Sequence, residues 1–413
     1  MKKLSFIFIA ILYINIANAQ WALQKNGSLL PEALEFNSVY FIDANTGYAV
    51  GGSADYSLQL QYIFKTTDGG INWIEQTSGT SKHLYSVYFI NANTGYAVGL
   101  DGIILKTTNG GTNWNVQSIG VPFSLYSVFF TDINTGYAVG GETNLTIQQQ
   151  YIYKTIDGGI NWLSQSTGTQ ALNSVFFINS NTGFTVGYSG TILKTTNGGA
   201  NWIAQFSGTN RNLNSVFFID SNTGFAIGDS GTILKTTNGG TNWISQSIAG
   251  NTYLNSVYFT DINTGYVVGG NYNFNTILYK TTDGGDSWVT MPSPLTYPLY
   301  SVFFPSASIG YAVGSDLSII KYDASLKIDK NNSQEEIVIY PIPAKDNLTI
   351  EQKNWENFQN ATISIYNIQG QLCRQIISNQ PKTEIDIKDL STGLYVVNVC
   401  NEKESYVSRF VKE

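Results

Sequence analysis

Short runs of alternating apolar and polar residues, separated by glycine-containing turns, recur along most of the chain. The run Ser-Val-Phe-Phe that begins at Ser174 returns at Ser215 and at Ser256, each time 41 residues later (174 to 215, 215 to 256). Similar runs begin at Ser38, Ser86, Ser127, Ser174, Ser215, Ser256 and Ser301. A period of about 40 residues with several short strands is typical of the blades of a β-propeller. Helical periodicity is absent from this region, so we predict an all-β fold.

Every repeat except the last ends in a strand that carries a tryptophan. These residues are Trp73, Trp114, Trp162, Trp202, Trp243 and Trp288. The seventh repeat stops at Asp323 without one, but residues 21–24 (WALQ) match residues 202–205 (WIAQ). We therefore predict that the N-terminal strand completes the last blade and closes a seven-bladed β-propeller, because closure removes exposed sheet edges.

The turn before each tryptophan follows the spacing Ser/Thr-x-Asp-x-Gly-x-x-Trp of the Asp-box, or BNR, repeat. Its central positions are Asp68, Asn109, Asp157, Asn197, Asn238 and Asp283. An Asp or Asn side chain there accepts backbone N–H groups, and the following glycine adopts a positive φ. Half of the copies are Asn, which a calcium site would not favour. We interpret the box as structural and expect no metal ion.

The order of these motifs resembles the photosystem II stability/assembly-factor-like propeller family. An aromatic-Ala-Val-Gly strand precedes Lys-Thr-Thr-Asp/Asn-Gly-Gly-x-Asn-Trp, and the resemblance covers residues 20–323. It implies the propeller fold. Chaperone work on a photosynthetic reaction centre does not fit the two ends of this chain, which are described next. The Asp-box also occurs in sialidases and in hydrolases of plant polysaccharides, so a glycoside hydrolase is an alternative.

The first 19 residues predict a secretory signal peptide. Lys2 and Lys3 precede an apolar run over residues 4–16, and residues 17–19 (ANA) give a small-x-small cleavage pattern before Gln20. The run is shorter than the roughly 20 apolar residues that span a bilayer. No later segment is long and apolar enough to span one. We predict an exported chain without a transmembrane segment after removal of the signal.

The repeat stops before the carboxyl end. Residues 324–336 are polar and predict a linker, whereas residues 337–413 alternate apolar and polar positions between turn residues. Such alternation is typical of a small Ig-like β-sandwich. Cys373 and Cys400 both lie in this tail. They pair only if their strands adjoin, and two buried free thiols are an equal alternative.

The tail also resembles the type A sorting domain of the type IX secretion system of Bacteroidota. The segments that carry the resemblance are 340–350 (YPIPAKDNLTI), 363–370 (ISIYNIQG), 385–399 and 409–412. Tyr340-Pro stands where the family usually has Asn-Pro. The resemblance implies that the type IX machinery handles this domain. It also implies a protein that is extracellular or attached to the outer-membrane surface.

Composition leaves little chemistry for catalysis. The chain has 22 Lys+Arg against 29 Asp+Glu and a net charge of -7, which argues against nucleic-acid binding. One His and two Cys exclude zinc fingers and Cys-His nucleophiles. Sialidases bind the substrate carboxylate with three arginines, whereas residues 20–323 contain only Arg211. We expect no cofactor and no catalytic residue, and we interpret His83 as a surface loop residue.

Two further sets of charged residues recur with the repeat. One lysine per repeat occupies an equivalent position, namely Lys65, Lys106, Lys154, Lys194, Lys235, Lys280 and Lys321. We expect a structural, solvated role for these lysines rather than a cationic ring. Glycoside hydrolysis needs two carboxylates roughly 5–10 Å apart. Asp101, Asp229 and Asp316 follow the second strand of their repeats. A pair among them carries no motif, so the hydrolase is the second choice.

Irregular loops are the main indication of a binding site. Between the second strand and the repeat lysine, the first repeat (Gly51 to Lys65) and the third (Gly140 to Lys154) have insertions, and the sixth has a shorter one. Repeat proteins tend to place insertions on one face, often the binding face. The candidates there are Tyr56, Tyr62, Tyr85, Phe123, Gln149, Tyr151, Arg211, Tyr253, Tyr272, Phe274 and Tyr297. Aromatic and amide side chains suit a glycan or a protein ligand. We predict a recognition protein, with a scaffold or assembly factor as a further alternative.

Overall fold

The computed structural model describes twelve stretches of the chain. They are residues 21–25, 34–53, 60–117, 119–143, 148–165, 168–246, 248, 250–324, 337–352, 361–367, 371–400 and 405–413. The chain divides into two compact units after Ser325. The predicted signal peptide, residues 325–336 of the predicted linker, and Tyr56 lie outside the described residues.

Antiparallel four-stranded sheets make up the first unit, and six of them follow the chain order. The first contains β2 (Leu34–Phe41), β3 (Gly47–Ser53), β4 (Gln61–Thr66) and β5 (Ile74–Glu75). The second contains β6 (Leu84–Phe89), β7 (Gly95–Gly99), β8 (Ile104–Thr107) and β9 (Asn115–Val116). The third contains β10 (Ser124–Phe130), β11 (Gly136–Thr143), β12 (Gln148–Thr155) and β13 (Leu163–Ser164).

The next three sheets repeat this order. The fourth contains β14 (Leu172–Phe177), β15 (Gly183–Gly187), β16 (Ile192–Thr195) and β17 (Ile203–Gln205). The fifth contains β18 (Leu213–Phe218), β19 (Gly224–Gly228), β20 (Ile233–Thr236) and β21 (Ile244–Ser245). The sixth contains β22 (Thr252–Phe259), β23 (Gly265–Asn271), β24 (Thr276–Thr281) and β25 (Val289–Thr290). Short 3-10 turns at Leu100–Gly102 and Tyr188–Gly190 interrupt the strands.

The seventh sheet takes one strand from the other end of the unit. It contains β26 (Leu299–Ser306), β27 (Ile309–Gly314), β28 (Ser318–Asp323) and β1 (Trp21–Lys25). In this sheet Trp21 lies opposite Tyr322. The Trp21 ring meets the Phe304 ring edge-on at 5.9 Å, as Trp114 meets Phe89 at 5.8 Å in the second sheet. Trp21 therefore takes the place of the tryptophan that the last repeat lacks.

Hydrogen bonds between first strands connect neighbouring sheets in a cycle. The backbone N–H of Val87 in the second sheet donates to Oγ of Ser38 in the first at 3.2 Å. Val39 in the first sheet donates to Ser301 in the seventh at 3.3 Å. The pairs are Val87–Ser38, Val128–Ser86, Val175–Ser127, Val216–Ser174, Val257–Ser215, Val302–Ser256 and Val39–Ser301. The Ser-Val pair that defines the repeat therefore links each sheet to the next.

A cycle of aromatic rings lies one residue further along the same strands. The Tyr40 ring centroid is 5.1 Å from that of Tyr88 and 4.8 Å from that of Phe303. The members are Tyr40, Tyr88, Phe129, Phe176, Phe217, Tyr258 and Phe303. All are half-buried. Together they place an apolar layer around the common centre of the first strands.

The apolar core of the first unit lies between sheets. Tyr48 of the first sheet stacks on Phe89 of the second at 3.9 Å, and Trp114 closes this cluster edge-on. In the first six sheets the fourth strands contribute little to the core: they begin after the tryptophan and have two or three residues, and Ile74 is 64% exposed. The predicted tryptophan strand is therefore shorter than the sequence suggests, and the tryptophan itself precedes it.

The second unit contains two antiparallel sheets. One consists of β29 (Ile337–Tyr340), β30 (Asn347–Gln352) and β33 (Lys382–Asp386). The other, in spatial order, consists of β32 (Leu372–Ser378), β31 (Ala361–Asn367), β34 (Gly393–Cys400) and β35 (Ser405–Lys412). Residues of both sheets, among them Ile350, Ile363 and Val397, form one buried cluster. Cys373 and Cys400 are free thiols on strands separated by β31.

Candidate functional site

The first unit presents two different ends of its sheets. The box-bearing face is formed by the turns between first and second strands together with the Asp-boxes. The loop-bearing face is formed by the hairpins between second and third strands together with the connections between sheets. On the first face, Gly158 N–H donates to the carbonyl of Asn134 at 2.8 Å. On the second, Tyr188 N–H donates to the carbonyl of Ala171 at 3.0 Å. These bonds tie each pair of segments together.

The repeat lysines are structural but not solvated, which corrects the sequence interpretation. Lys106 Nζ donates to the carbonyl of Gly158 in the next Asp-box at 2.7 Å and lies 5.6 Å above the Tyr96 ring. The Tyr96 hydroxyl donates to the same carbonyl at 2.6 Å. The same contact is made by four other lysines, each with the glycine carbonyl of the Asp-box in the neighbouring sheet, namely Lys65, Lys154, Lys194 and Lys321. The lysine side chains are half-buried because the neighbouring box covers them.

Each Asp-box is a closed network of local hydrogen bonds. Asn161 N–H donates to Asp157 Oδ1 at 2.9 Å, and Gly159 N–H donates to the Thr155 hydroxyl at 2.8 Å. Asn201 N–H donates to Oδ1 of Asn197 at 2.9 Å, so the amide performs the same function as the carboxylate. The Asn161 N–H lowers the pKa of the Asp157 carboxyl below its usual range. No group of three or more His, Cys, Asp or Glu in the described stretches could hold a metal ion.

A pocket of about 230 Å³ opens on the loop-bearing face at the sixth sheet. It is lined by Tyr253, Asn255, Gly270, Asn271, Tyr272, Phe274, Pro298 and Tyr300. The rings of Tyr253 and Tyr272 are 4.8 Å apart and inclined by 59°. Pro298 packs on Gly270, where an added Cβ would come within 2.8 Å of the proline ring. Four of the lining residues are aromatic, and none is basic.

Phe274 adopts a backbone conformation that disfavours its side chain. Its φ is +59°, in the left-handed region. The hairpin is closed by the Asn271 N–H, which donates to the carbonyl of Asn275, so Phe274 precedes the closing residue. The second, fourth and fifth sheets have glycine at that place, namely Gly102, Gly190 and Gly231. The left-handed conformation costs a residue with a Cβ roughly 1–2 kcal/mol. The Phe274 side chain is 71% exposed, so core packing does not repay this strain.

Two carboxylates lie behind the aromatic rings. Glu35 hydrogen-bonds the Tyr300 hydroxyl, and burial raises the pKa of Glu35 above its usual range. Burial, together with the Glu35 charge, raises the pKa of Tyr300 to about 12. Asp229 pairs with Tyr253 through an isolated β-bridge. The pKa of Tyr253 is raised first by its hydrogen bond with Tyr272 and by desolvation, and the Asp229 carboxylate adds to this rise. The carboxylates of Glu35 and Asp229 therefore lie near the tyrosines that line the pocket.

His83 is buried, which corrects its interpretation as a surface loop residue. Only 3% of the residue is exposed, and Nδ1 lies 2.7 Å from the carbonyl oxygen of Ser53. Asn37 Nδ2 contacts Nε2, and a Glu35 oxygen lies 3.7 Å away. Burial lowers the pKa of His83. His83 directly precedes β6 of the second sheet, and its ring nitrogens contact Ser53 and Asn37 of the first sheet. The imidazole therefore connects the two sheets.

The structure separates the other sequence-predicted candidates into groups. Phe123 and Tyr151 stack at 4.9 Å in the third sheet, and the Tyr151 hydroxyl donates to Gln149. Tyr85 packs between His83 and Tyr126. Tyr62 contacts Phe64, Arg211 is exposed in the loop before β18, and Tyr297 is 51% exposed in the loop before β26. Of the predicted set, Tyr253, Tyr272 and Phe274 come together at one pocket.

The three candidate hydrolytic carboxylates belong to three different hairpins. Asp101 forms an ion pair with Lys82 at 2.6 Å. Asp229 accepts hydrogen bonds from the amides of Asn212 and Asn214 at 2.9 and 3.1 Å. Asp316 has a left-handed φ of +58°. The first two carboxylates are therefore engaged with other side chains.

Sequence reasoning selected Tyr85 but missed the other residues at its position, which precedes the Ser-Val pair. This position carries Asn37, Tyr85, Tyr126, Asn173, Asn214, Asn255 and Tyr300. Asn255 donates to the carbonyl of Leu299 in the next sheet at 2.8 Å, and Asn214 donates to that of Leu254 at 3.0 Å. The position holds either Asn or Tyr beside a motif that is otherwise regular. This variation was the sequence signal that could have identified it.

Comparison with known proteins identifies the first unit. The family model of the photosynthesis system II assembly factor YCF48 matches residues 16–170, 165–247 and 205–298. The chain belongs to this family. A structure of YCF48 bound to a D1 peptide is 21% identical, covers 74% of this chain and 97% of its own, and has a TM-score of 0.59. YCF48 from Cyanidioschyzon merolae is 20% identical, with coverages of 74% and 99% and a TM-score of 0.58.

A propeller outside the YCF48 family also matches. The WD40 β-propeller domain of Doa1 is 12% identical, covers 73% of this chain and 96% of its own, and has a TM-score of 0.57. At these identities the structural matches show the fold, a β-propeller. No curated protein matches the chain.

A second family model, the secretion system C-terminal sorting domain, matches residues 338–413. This YCF48-family propeller therefore carries a tail that the type IX secretion machinery handles, and the tail indicates export. Within the part of the chain that the structure describes, no helix has the length and apolar character needed to cross a membrane.

Proposed function

We propose that this protein is a secreted recognition propeller that binds a polypeptide at the loop-bearing face without catalysing a reaction. The aromatic pocket of the sixth sheet carries this proposal, because it exposes Tyr272 (50%) and Phe274 (71%) and gives Phe274 a strained backbone. An exposed apolar side chain that costs stability suits binding rather than folding. A YCF48 propeller has been solved with a peptide, which favours a polypeptide over a glycan.

The architecture that we infer is a closed ring of seven blades over residues 20–323. The cycle of Ser-Val hydrogen bonds and the β1–β28 pairing support this closure. We further infer a signal peptide over residues 1–19, a linker over 324–336 and an Ig-like sandwich over 337–413. The sorting tail supports a final location outside the cell or on the outer-membrane surface.

The hydrolase alternative has less support. Asp101 is paired with Lys82, and Asp229 is held by two amides. Glycoside hydrolysis needs two carboxylates that act together, whereas these two belong to different hairpins and are engaged with other side chains. We therefore infer a binding protein.

The test is the binding of the labelled full-length chain to an immobilised peptide library, with a glycan array in parallel. Tyr272→Ala on the loop-bearing face should abolish most peptide binding. Ile160→Ala on the box-bearing face removes a residue that is 73% exposed and should leave binding unchanged. Bound peptides should be recovered intact. Glycan binding without peptide binding, cleavage of the peptides, or loss of binding only in Ile160→Ala would refute the proposal.

A further inference from the structure

The box-bearing face shows how this chain places cations on aromatic rings. Lys65, Lys106 and Lys154 lie 5.5, 5.6 and 5.7 Å from the centres of tyrosine rings in their own sheets. A cation above an aromatic face is attracted by the negative charge density of the ring. On the box-bearing face, the cation above each of these tyrosine rings is therefore a lysine of the same chain.

The rings of the sixth-sheet pocket have no such partner. Among the described residues, no Lys or Arg lies over Tyr253, Tyr272, Phe274 or Tyr300. The nearest polar neighbours in the lining are the amides of Asn255 and Asn271. The pocket thus provides the aromatic rings of such a contact, and a ligand would have to provide the cation.

The charges behind the pocket have the sign that a cation requires. Glu35 forms an isolated β-bridge with Ser315, whose hydroxyl lies 3.0 Å from that of Tyr300, and Asp229 forms one with Tyr253. His83, the basic group nearest Glu35, is buried with its two ring nitrogens engaged. Lys82 is neutralised by Asp101, and Arg211 is exposed in the loop before the fifth sheet. A neutral sugar or an apolar side chain would gain nothing from the two carboxylates, whereas a cation gains from both.

We propose that this pocket is an aromatic cage for the cationic side chain of a lysine or arginine in the bound polypeptide. The proposal rests on the proposed function and specifies its chemistry. Tyr253, Tyr272 and Phe274 surround the cation, Tyr300 forms the base, and Glu35 and Asp229 supply the long-range attraction. Phe274 contributes an exposed ring at the hairpin tip that lines the same pocket.

The experiment compares two peptides that differ only in the terminal ammonium group of one side chain. Acetyl-Gly-Lys-Gly-amide and its norleucine analogue are titrated into the full-length chain by ligand-observed NMR. We expect the lysine peptide to bind about tenfold more tightly, a difference between those of exposed and of desolvated cations on aromatic rings. Equal binding of the two peptides would overturn the cage, since apolar contact alone would then explain the affinity. Tighter binding of methyl glucoside than of the lysine peptide would overturn it as well.

Matched variants locate the site. Tyr272→Ala should weaken the lysine peptide about fivefold or more, whereas Tyr272→Phe should retain its binding, because the ring carries the interaction. Tyr188→Ala changes the corresponding hairpin residue of the fourth sheet and should have no effect. Asp229→Asn should weaken the lysine peptide and leave the norleucine peptide unchanged, and this arm remains informative if Tyr272→Ala fails to fold. An unchanged affinity in both Tyr272→Ala and Asp229→Asn would refute the assignment.

Tetramethylammonium serves as a small free organic cation, and its binding is compared with that of the lysine side chain in a peptide. Weaker binding of tetramethylammonium than of the lysine peptide supports the polypeptide source, and tighter binding overturns it. The outcomes also separate the two proposals. If library peptides bind but the lysine and norleucine probes do not differ, the cage is refuted and the recognition function stands. If neither library peptides nor the lysine probe bind, both proposals fail.

Discussion

The two faces of the propeller use the same kind of residues in opposite ways. On the box-bearing face, Tyr96 is fully buried, stacks on Phe130 at 4.0 Å and carries Lys106 above its ring. On the loop-bearing face, Tyr272 is 50% exposed and has no cation of the chain above it among the described residues. The first arrangement recurs around the unit, and the second is found at the pocket of the sixth sheet. In this repeat protein, regular features hold the sheets together, and departures from the repeat mark the surface available to a ligand.

The comparison predicts its largest stability effect on the box-bearing face. Trp114→Ala should lower the free energy of unfolding by about 3–4 kcal/mol, because the buried indole contacts both Phe89 and Tyr48. Phe206→Ala, at an aromatic residue that is 88% exposed, should change it by less than about 0.5 kcal/mol. Urea denaturation measures both values. Similar losses in the two variants would remove the distinction between repeated and exposed aromatic residues.

A smaller effect should separate two lysines of the same face. Lys106→Met removes a bond to a backbone carbonyl in the next sheet, and we expect a loss of about 1–2 kcal/mol. Lys235 instead donates to Asp286 at 2.6 Å, and that carboxylate side chain is 69% exposed. Lys235→Met should therefore cost less than about 1 kcal/mol. The same denaturation assay compares the two variants. A larger loss in Lys235→Met would mean that the bond to the box carbonyl adds little.

The loop-bearing face should yield a gain in stability. Phe274→Asn places a residue that tolerates the left-handed conformation at φ +59°, so we expect about 1 kcal/mol of added stability. Binding of the lysine peptide should weaken in the same variant. Phe274→Gly is the control, since glycine also adopts this φ without strain. A less stable Phe274→Asn protein would indicate that the phenyl ring contributes to folding.

The smallest effect concerns the acid groups of the Asp-boxes. Asp157 is half-buried. Its lowered pKa means that its contribution to stability is present above the ordinary carboxyl pKa of 3.8 and is lost as the pH falls through its folded value. Asp157→Asn reproduces the Asn197 geometry without titration. The variant should be slightly less stable than the native protein at pH 7, and the difference should disappear in acid. Thermal unfolding at several pH values tests this. A difference that grows in acid would contradict the assigned sign.

The repeat itself was predictable, because its period and its turn chemistry are local properties of the sequence. The match between residues 21–24 and 202–205 likewise anticipates the β1–β28 pairing. Tyr253, Tyr272 and Phe274 were identified as candidates from loop length and residue type. The contributions of Glu35, Asn255 and Tyr300 were not, because they depend on how first strands from different sheets converge.

The burial of His83 and the bonding of the repeat lysines escaped prediction for a related reason. His83 lies at the end of a loop, and its sequence neighbours are polar, but its contacts come from Ser53 and Asn37 in the preceding sheet. The acceptor of Lys106 lies 52 residues away. The spacing of residues within one repeat does not predict the contacts that those residues make with the neighbouring repeat.

The β1–β28 sheet has a consequence for the order in which the molecule assembles. Six sheets need only consecutive residues, so each can form as soon as its own segment of chain is free to fold. The seventh needs residues 21–25 and 318–323 at once, which makes its formation a late, long-range event. A circular permutant that joins these ends and opens the chain between two other sheets would retain the same side-chain contacts. In such a permutant the sheet that contains the new chain ends would form last. The sheet that forms last is therefore set by the position of the chain ends, and the fold itself does not determine it.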